Sequence, residues 1–324
     1  MNKWLGIVAV GVVAVSNACV VKADDSERFR DPIPQSADVG MGVPGSSTGA
    51  STKAQAKGLR FSNTPGTTSY AEYYQMTRDI TDSVDYGTAW VIGLVWTIVH
   101  SPPTSIDAHK AVWGPGAGDA LSPVVWRFTV NEVGTSEYDY VLEGRGKASA
   151  NEADFKAVLT GHGYGKSRAE HRQGWFTLDF DASAALDPAR NHDSGNIKVT
   201  FDLRQYPATL AVDMNATDRP RTAKVAVTHQ GDGAGNVDIT LHDSADPAQS
   251  GKADDLVVHS RWDTTGAGRG DAQMSGGTLP ATIANVQASE CWDASFSRVY
   301  YKDSVDYKPA AGNAAACAFA QAKF

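Results

Sequence analysis

Several strings in this chain have residue types that could support chemistry, and their surroundings decide each of them. Gly45-Ser46-Ser47-Thr48-Gly49 fits the G-x-S-x-G spacing of a serine nucleophile. That elbow needs a buried strand before it and a helix after it, whereas small polar residues lie on both sides here. Gly161-His162-Gly163-Tyr164-Gly165-Lys166-Ser167 approaches a phosphate-cradling loop, but Thr160 stands where the first glycine is required and no βαβ alternation surrounds it. The glycine strings at 114–118 and 266–270 read as strand-end turns. Arg269-Gly270-Asp271 spells a cell-adhesion tripeptide, a string short enough to recur by chance. Eight histidines are scattered without the spacings of a zinc site; His162 and His171 flank one loop beside Glu170. Asp232, Asn236 and Asp238 surround a glycine turn and could chelate Ca²⁺, but the EF-hand register is absent. Asp179, Asp181, Asp187 and Asp193 surround another loop. Paired carboxylates can exchange protons with a substrate, yet strand alternation sends Asp179 and Asp181 to solvent. The sequence therefore indicates no catalytic residue, no metal ligand and no cofactor.

The three cysteines carry more. Met1-Asn2-Lys3 is a short basic start, and the 12 residues from Trp4 to Val15 are apolar throughout. A spanning helix needs roughly 20 such residues, so this run has the length of a signal-peptide core. Ser16-Asn17-Ala18-Cys19 follows and resembles a bacterial lipobox, with Ser16 where leucine is usual. The resemblance implies a signal peptide over 1–18, lipidation of Cys19 and a membrane partner reached through N-terminal acyl chains. Acyl burial contributes about 0.8 kcal/mol per CH₂, so several chains anchor stably. Val20 after the cysteine points to the outer membrane or cell surface by the enterobacterial sorting rule. Ordinary secretion after Ala18 or Ala23 and a retained anchor are the alternatives. Cys291 and Cys317, 26 residues apart, are expected to pair in an oxidising compartment. Such a loop contributes about 3 kcal/mol; two buried free thiols are the alternative.

The elements that would position these residues fall into three stretches. Residues 19–67 read as a lipid-anchored flexible tether, because 43–52 are small and polar with no periodic apolar face. Residues 68–324 read as a single domain. Tyr73, Met76, Ile80, Val84, Gly87, Val91, Leu94 and Ile98 follow steps of 3 and 4, which predicts a helix over about 69–100. Thr67 or Ser69 would cap it, Pro102-Pro103 would end it, and Gly87 would divide it. Residues 88–99 have no charge on any side, so that half is expected to be buried all round. Trp90, Val91, Leu94, Val95 and Ile98 are its expected lining residues.

From about residue 110 the period changes to 2. Ile197, Val199, Phe201 and Leu203 alternate with polar neighbours, as do Val237, Ile239 and Leu241. Ten to twelve strands separated by short turns predict an antiparallel meander. The expected fold is mainly β with one long helix (α+β): an open or closed barrel wrapped on an N-terminal apolar helix. Phe324 ends the chain as in many outer-membrane barrels. However, alanines occupy the alternate positions before it, and the strands would need apolar outward faces.

The chain has 324 residues, 29 Lys+Arg against 37 Asp+Glu and a formal charge of −8. With no basic run, it lacks the counter-charges a nucleic-acid partner requires. Ser289-Glu290-Cys291-Trp292-Asp293 and Arg298-Val299-Tyr300-Tyr301 resemble the C-terminal part of lipoproteins from myxobacteria and related deltaproteobacteria. This resemblance implies no activity. At fold level, a curved sheet over an apolar helix is similar to periplasmic lipoprotein carriers of the Lol type. The favoured reading is a non-enzymatic cell-envelope lipoprotein that binds a lipid, another hydrophobic ligand or a protein partner through its sheet. A structural or surface-interaction lipoprotein with a solid core is the alternative. A secreted hydrolase is a third and requires at least two titratable groups converging in a cleft.

Overall fold

The computed structural model describes residues 26–35, 38, 42, 44, 70–117, 120–218, 221–243 and 252–324, with backbone alone at 83, 84, 86, 87, 89, 90 and 117. A 28-residue helix, α1 (Glu72–Val99), precedes the sheet and runs through Gly87 without a break. Its N-cap is Ala71, which offers no side-chain bond. The expected caps Thr67 and Ser69 lie outside the described residues. The helix stops three residues before Pro102, whose ring cannot continue it.

The remaining chain forms one antiparallel sheet whose strands follow sequence order. They are β1 (Ser105–Ile106), β2 (Lys110–Ala117), β3 (Val124–Gly134), β4 (Glu137–Gly146), β5 (Lys156–Tyr164), β6 (Gln173–Asp179), β7 (Asn196–Asp202) and β8 (Ala208–Asn215). They continue with β9 (Thr222–His229), β10 (Gly235–Asp243), β11 (Asp254–Trp262), β12 (Gly268–Gly276), β13 (Val286–Trp292), β14 (Arg298–Asp303) and β15 (Ala311–Gly312). A short helix, α2 (Phe180–Leu186), interrupts the meander after β6, and Asp179 caps it by accepting the Ala182 N–H at 2.8 Å.

Among the described residues fifteen strands replace the ten to twelve expected, and the closed barrel does not form there: no ladder joins β1 to β15. Both edge strands are two residues long. Short edges leave few unpaired backbone groups for another chain to pair with. Alternation puts one apolar face inward. Phe176 pairs with Val199, Phe201 with Leu210, and Val227 with Val237, all buried in one core. The sheet curls so far that α1 touches β2 and β3 near one edge and β11, β12 and β13 near the other. The helix thus bridges the gap that closure would have removed.

Two expectations need correction. First, α1 is not buried all round at its C-terminal half. Val91 and Val95 are buried and Leu94 and Ile98 half-buried against the core, while Gly93 and Thr97 face solvent. The side chain of Trp90 lies outside the described residues. Charge-free composition cannot distinguish a helix buried on every side from one that leaves uncharged residues such as Gly93 and Thr97 in solvent. Ile92 and Val99, absent from the predicted lining, are also buried in the core.

Second, residues 26–35 are not tether. Phe29 has no exposed surface, and its ring meets Tyr138 edge-on at 5.8 Å. Arg30 Nε donates to the Val99 carbonyl at 2.7 Å, capping the C-terminus of α1, and Lys166 pairs with Asp31 at 2.8 Å. The helix is therefore not the first packed segment of the chain.

Candidate functional site

The inner face of the sheet was the expected ligand site. Phe128, Val130, Phe176 and Val237 have no exposed surface there, and Ile197, Val199 and Ile239 have 2 % at most. A hollow large enough for water would leave accessible surface on its lining. Side chains from α1, Phe29 and the facing strands occupy that space instead. No helix among the described residues is long and apolar enough to cross a membrane.

Charged groups gather at the other end of α1. Glu290, on the inner side of β13, is fully buried and accepts the Tyr73 N–H, doing from the sheet what Ala71 cannot do as a cap. Arg298 donates to Glu290 and, at 2.9 Å, to Glu72; Lys308 also donates to Glu72. Burial pushes the Glu290 carboxyl up from its ordinary value, and the bonds from Tyr73 and Arg298 offset only part of that. Burial also pushes Glu72 up, but Lys308 and Arg298 outweigh it and hold the carboxyl below the usual range. Asp303 is likewise raised by burial and brought lower by the N–H groups of Lys308, Val305 and Tyr307. Burial drives the Tyr73 phenol upward. The carboxylates and cations here are paired inside the protein, so the cluster fastens helix to sheet.

The outer face of β11–β13 carries a different arrangement. Arg269 and Asp271 alternate outward from β12 while Gly270 points inward, where a methyl would meet Tyr73 Cβ at 2.9 Å. Arg269 Nε donates to Asp271 Oδ1 at 2.8 Å, and Ser289 Oγ donates to the same oxygen at 2.6 Å. Arg261 Nη2 reaches Asp271 Oδ2 at 3.2 Å. The C-terminal segment lies over these groups. The adhesion-like tripeptide is therefore a covered strand: Asp271 has no exposed surface and Arg269 has 4 %. Cys291 and Cys317 stand at disulfide distance, S–S 2.15 Å and Cα–Cα 5.4 Å, and fix the start of that segment to β13.

Beside the segment opens a cleft of about 490 Å³, lined by Asp232, Asn236, Asp238, His259, Arg261 and Lys323 among others. His259 Nδ1 and Asp238 Oδ1 are 2.5 Å apart, directly opposite across β10 and β11. This is the convergence of titratable groups that a hydrolase requires, but the Phe324 ring rests against the imidazole at 5.2 Å. Among the described residues no cluster of three His, Cys, Asp or Glu is placed to hold a metal. The Asp232 carboxylate accepts the Ala234 N–H instead.

The other motifs resolve into packing. Gly161 and Gly163 face the Tyr140 ring and the Pro32 carbonyl. His162 pairs with Asp139 at 2.7 Å, and His171 Nδ1 lies 3.1 Å from the Tyr164 carbonyl. Asp181 accepts from the Gly195 N–H and from Thr217. Gly45–Gly49 and Cys19 lie outside the described residues. Sequence reasoning missed Arg261, Ser289 and Lys323, whose common signal is a strand register no single stretch contains. Comparison with protein families, curated proteins and solved structures finds no match for this chain.

Proposed function

We propose that this chain is a non-enzymatic, envelope-tethered interaction protein with a solid core, held at the membrane through acyl chains on Cys19. The filled inner face is the observation that carries this reading over an apolar-ligand carrier. With α1 and Phe29 packed inside, the polar outer face is what remains for a partner. The test is native mass spectrometry of the protein purified from membranes and stripped of detergent. The expected result is the mass of the acylated chain alone and no uptake of a hydrophobic dye. One equivalent of non-covalent lipid would overturn the reading and favour a carrier.

A further inference from the structure

The segment 318–324 crosses the outer face of β11–β13, and its main chain holds it there. Arg269 Nη1 donates to the carbonyls of Phe319 and Ala320 at 3.2 and 3.3 Å. Arg261 donates to the Gln321 carbonyl, and the Lys323 N–H donates to Asp271 Oδ2 at 3.1 Å. Bonds to the backbone hold an extended peptide whatever its side chains, as in other strand- and peptide-binding grooves. Two aromatic anchors add selection: Phe319 lies under the Arg261 guanidinium at 5.3 Å, and Phe324 lies on His259.

We propose that this groove is a peptide-docking site that exchanges its own C-terminal segment for the same segment of a second copy. Two observations favour that occupant. First, the segment already seated there shows that its backbone and both phenylalanines fit. Second, Asp232, Asp238 and Asp263 line the adjoining cleft together with Lys323, so the lysine carried by the segment complements the local charge.

The segment is also built to let go. Ala318, Ala320 and Ala322 are exposed and bury little apolar surface. Cys317 stays bonded to β13, and residues 318–324 reach about 24 Å when extended. A neighbour tethered to the same membrane lies within that reach at high effective concentration. Exchange of identical segments gives a two-fold dimer at little cost, because the contacts made equal those lost.

This inference deepens the interaction reading above. Lipid extraction and peptide binding are read separately, so failure of one is distinguishable from failure of the other. In the full chain, Phe319→Ala with Phe324→Ala loosens the segment while leaving β11–β13 intact. A labelled peptide of sequence Ala-Phe-Ala-Gln-Ala-Lys-Phe is then titrated by fluorescence anisotropy. It is expected to saturate this variant at least about tenfold more tightly than the wild type, whose own segment competes. Adding Arg261→Ala should weaken it by about tenfold again. Wild type should form dimers that increase with concentration, and the loosened variant should not. A loosened chain that circular dichroism shows folded, yet that binds no peptide at millimolar concentration, overturns the site. Binding indifferent to Arg261→Ala overturns it too. A wild type that stays monomeric at every concentration overturns the second copy as occupant.

Discussion

Glu290 closes the N-terminus of α1 by accepting the N–H of Tyr73, 217 positions earlier. A buried carboxylate is tolerated only with compensating partners, and removing one side of a buried pair strands the other. Glu290→Ala leaves Arg298 and the first turn of α1 without their acceptor, and is expected to cost about 3 kcal/mol in chemical denaturation. Glu290→Gln keeps an acceptor for Tyr73 and should cost less. The pH dependence follows from the raised carboxyl. Because its folded value lies above its unfolded one, its stabilising contribution is complete below the unfolded value near 4.5 and is lost as pH rises through the folded one. Glu72 and Asp303, held low, act oppositely: their contribution is present above the unfolded values and lost as pH falls through the folded ones. Glu290→Gln should therefore flatten stability above pH 4.5 and leave the acid limb in place. An unchanged slope above that pH would refute the assignment.

At the scale of elements, glycines in the strands set how closely neighbours approach. A methyl on Gly161 would lie 2.3 Å from the Tyr140 ring, whereas one on Gly116 meets nothing within 4 Å. Gly161→Ala is expected to destabilise by about 2 kcal/mol through overpacking, and Gly116→Ala by less than about 0.5 kcal/mol. Thermal melts of the two variants side by side check this, and equal melting temperatures would refute it. The long strands were readable because apolar and polar residues alternate along them, as at Ile197–Phe201. β2 was not: Lys110–Ala117 includes Gly114, Pro115 and Gly116, and the register shifts between Trp113 and Gly116. β1 and β15, two residues each, are too short to show a period. The string at 266–270 reads as a strand-end turn, yet Gly268–Gly270 open β12. Its Arg269-Gly270-Asp271 is covered on both faces, by α1 inside and the C-terminal segment outside.

At the scale of the molecule, one aromatic side chain ties residues 26–35 into the fold. Phe29 is the largest apolar group in 26–35 and has no exposed surface. Phe29→Ala is expected to destabilise by about 3 kcal/mol and to make the chain cleavable near residue 30 by a protease. A variant as stable and as resistant as the wild type would return 26–35 to the tether. The segment matters because it packs Phe29 against Tyr138 and places Arg30 on the Val99 carbonyl at the end of α1. An open sheet, a bridging helix and this short segment complete one core together.

The sequence by itself determined the periods. Steps of 3 and 4 defined α1, alternation and turn clusters defined ten to twelve of the strands, short turns made them antiparallel, and two cysteines marked the bond between β13 and the C-terminal segment. All of these depend on neighbours a few residues apart, or on residue type alone. Tertiary structure decided the rest. Whether the sheet closes depends on its curl over fifteen strands. Whether its inner face is hollow depends on what α1 and Phe29 fill. That Glu290 caps α1, and that Arg261, Arg269 and Asp271 meet Lys323 in one groove, depends on register summed over many hairpins. A one-residue slip in any hairpin would turn those side chains to the other face, so local sequence cannot carry that information.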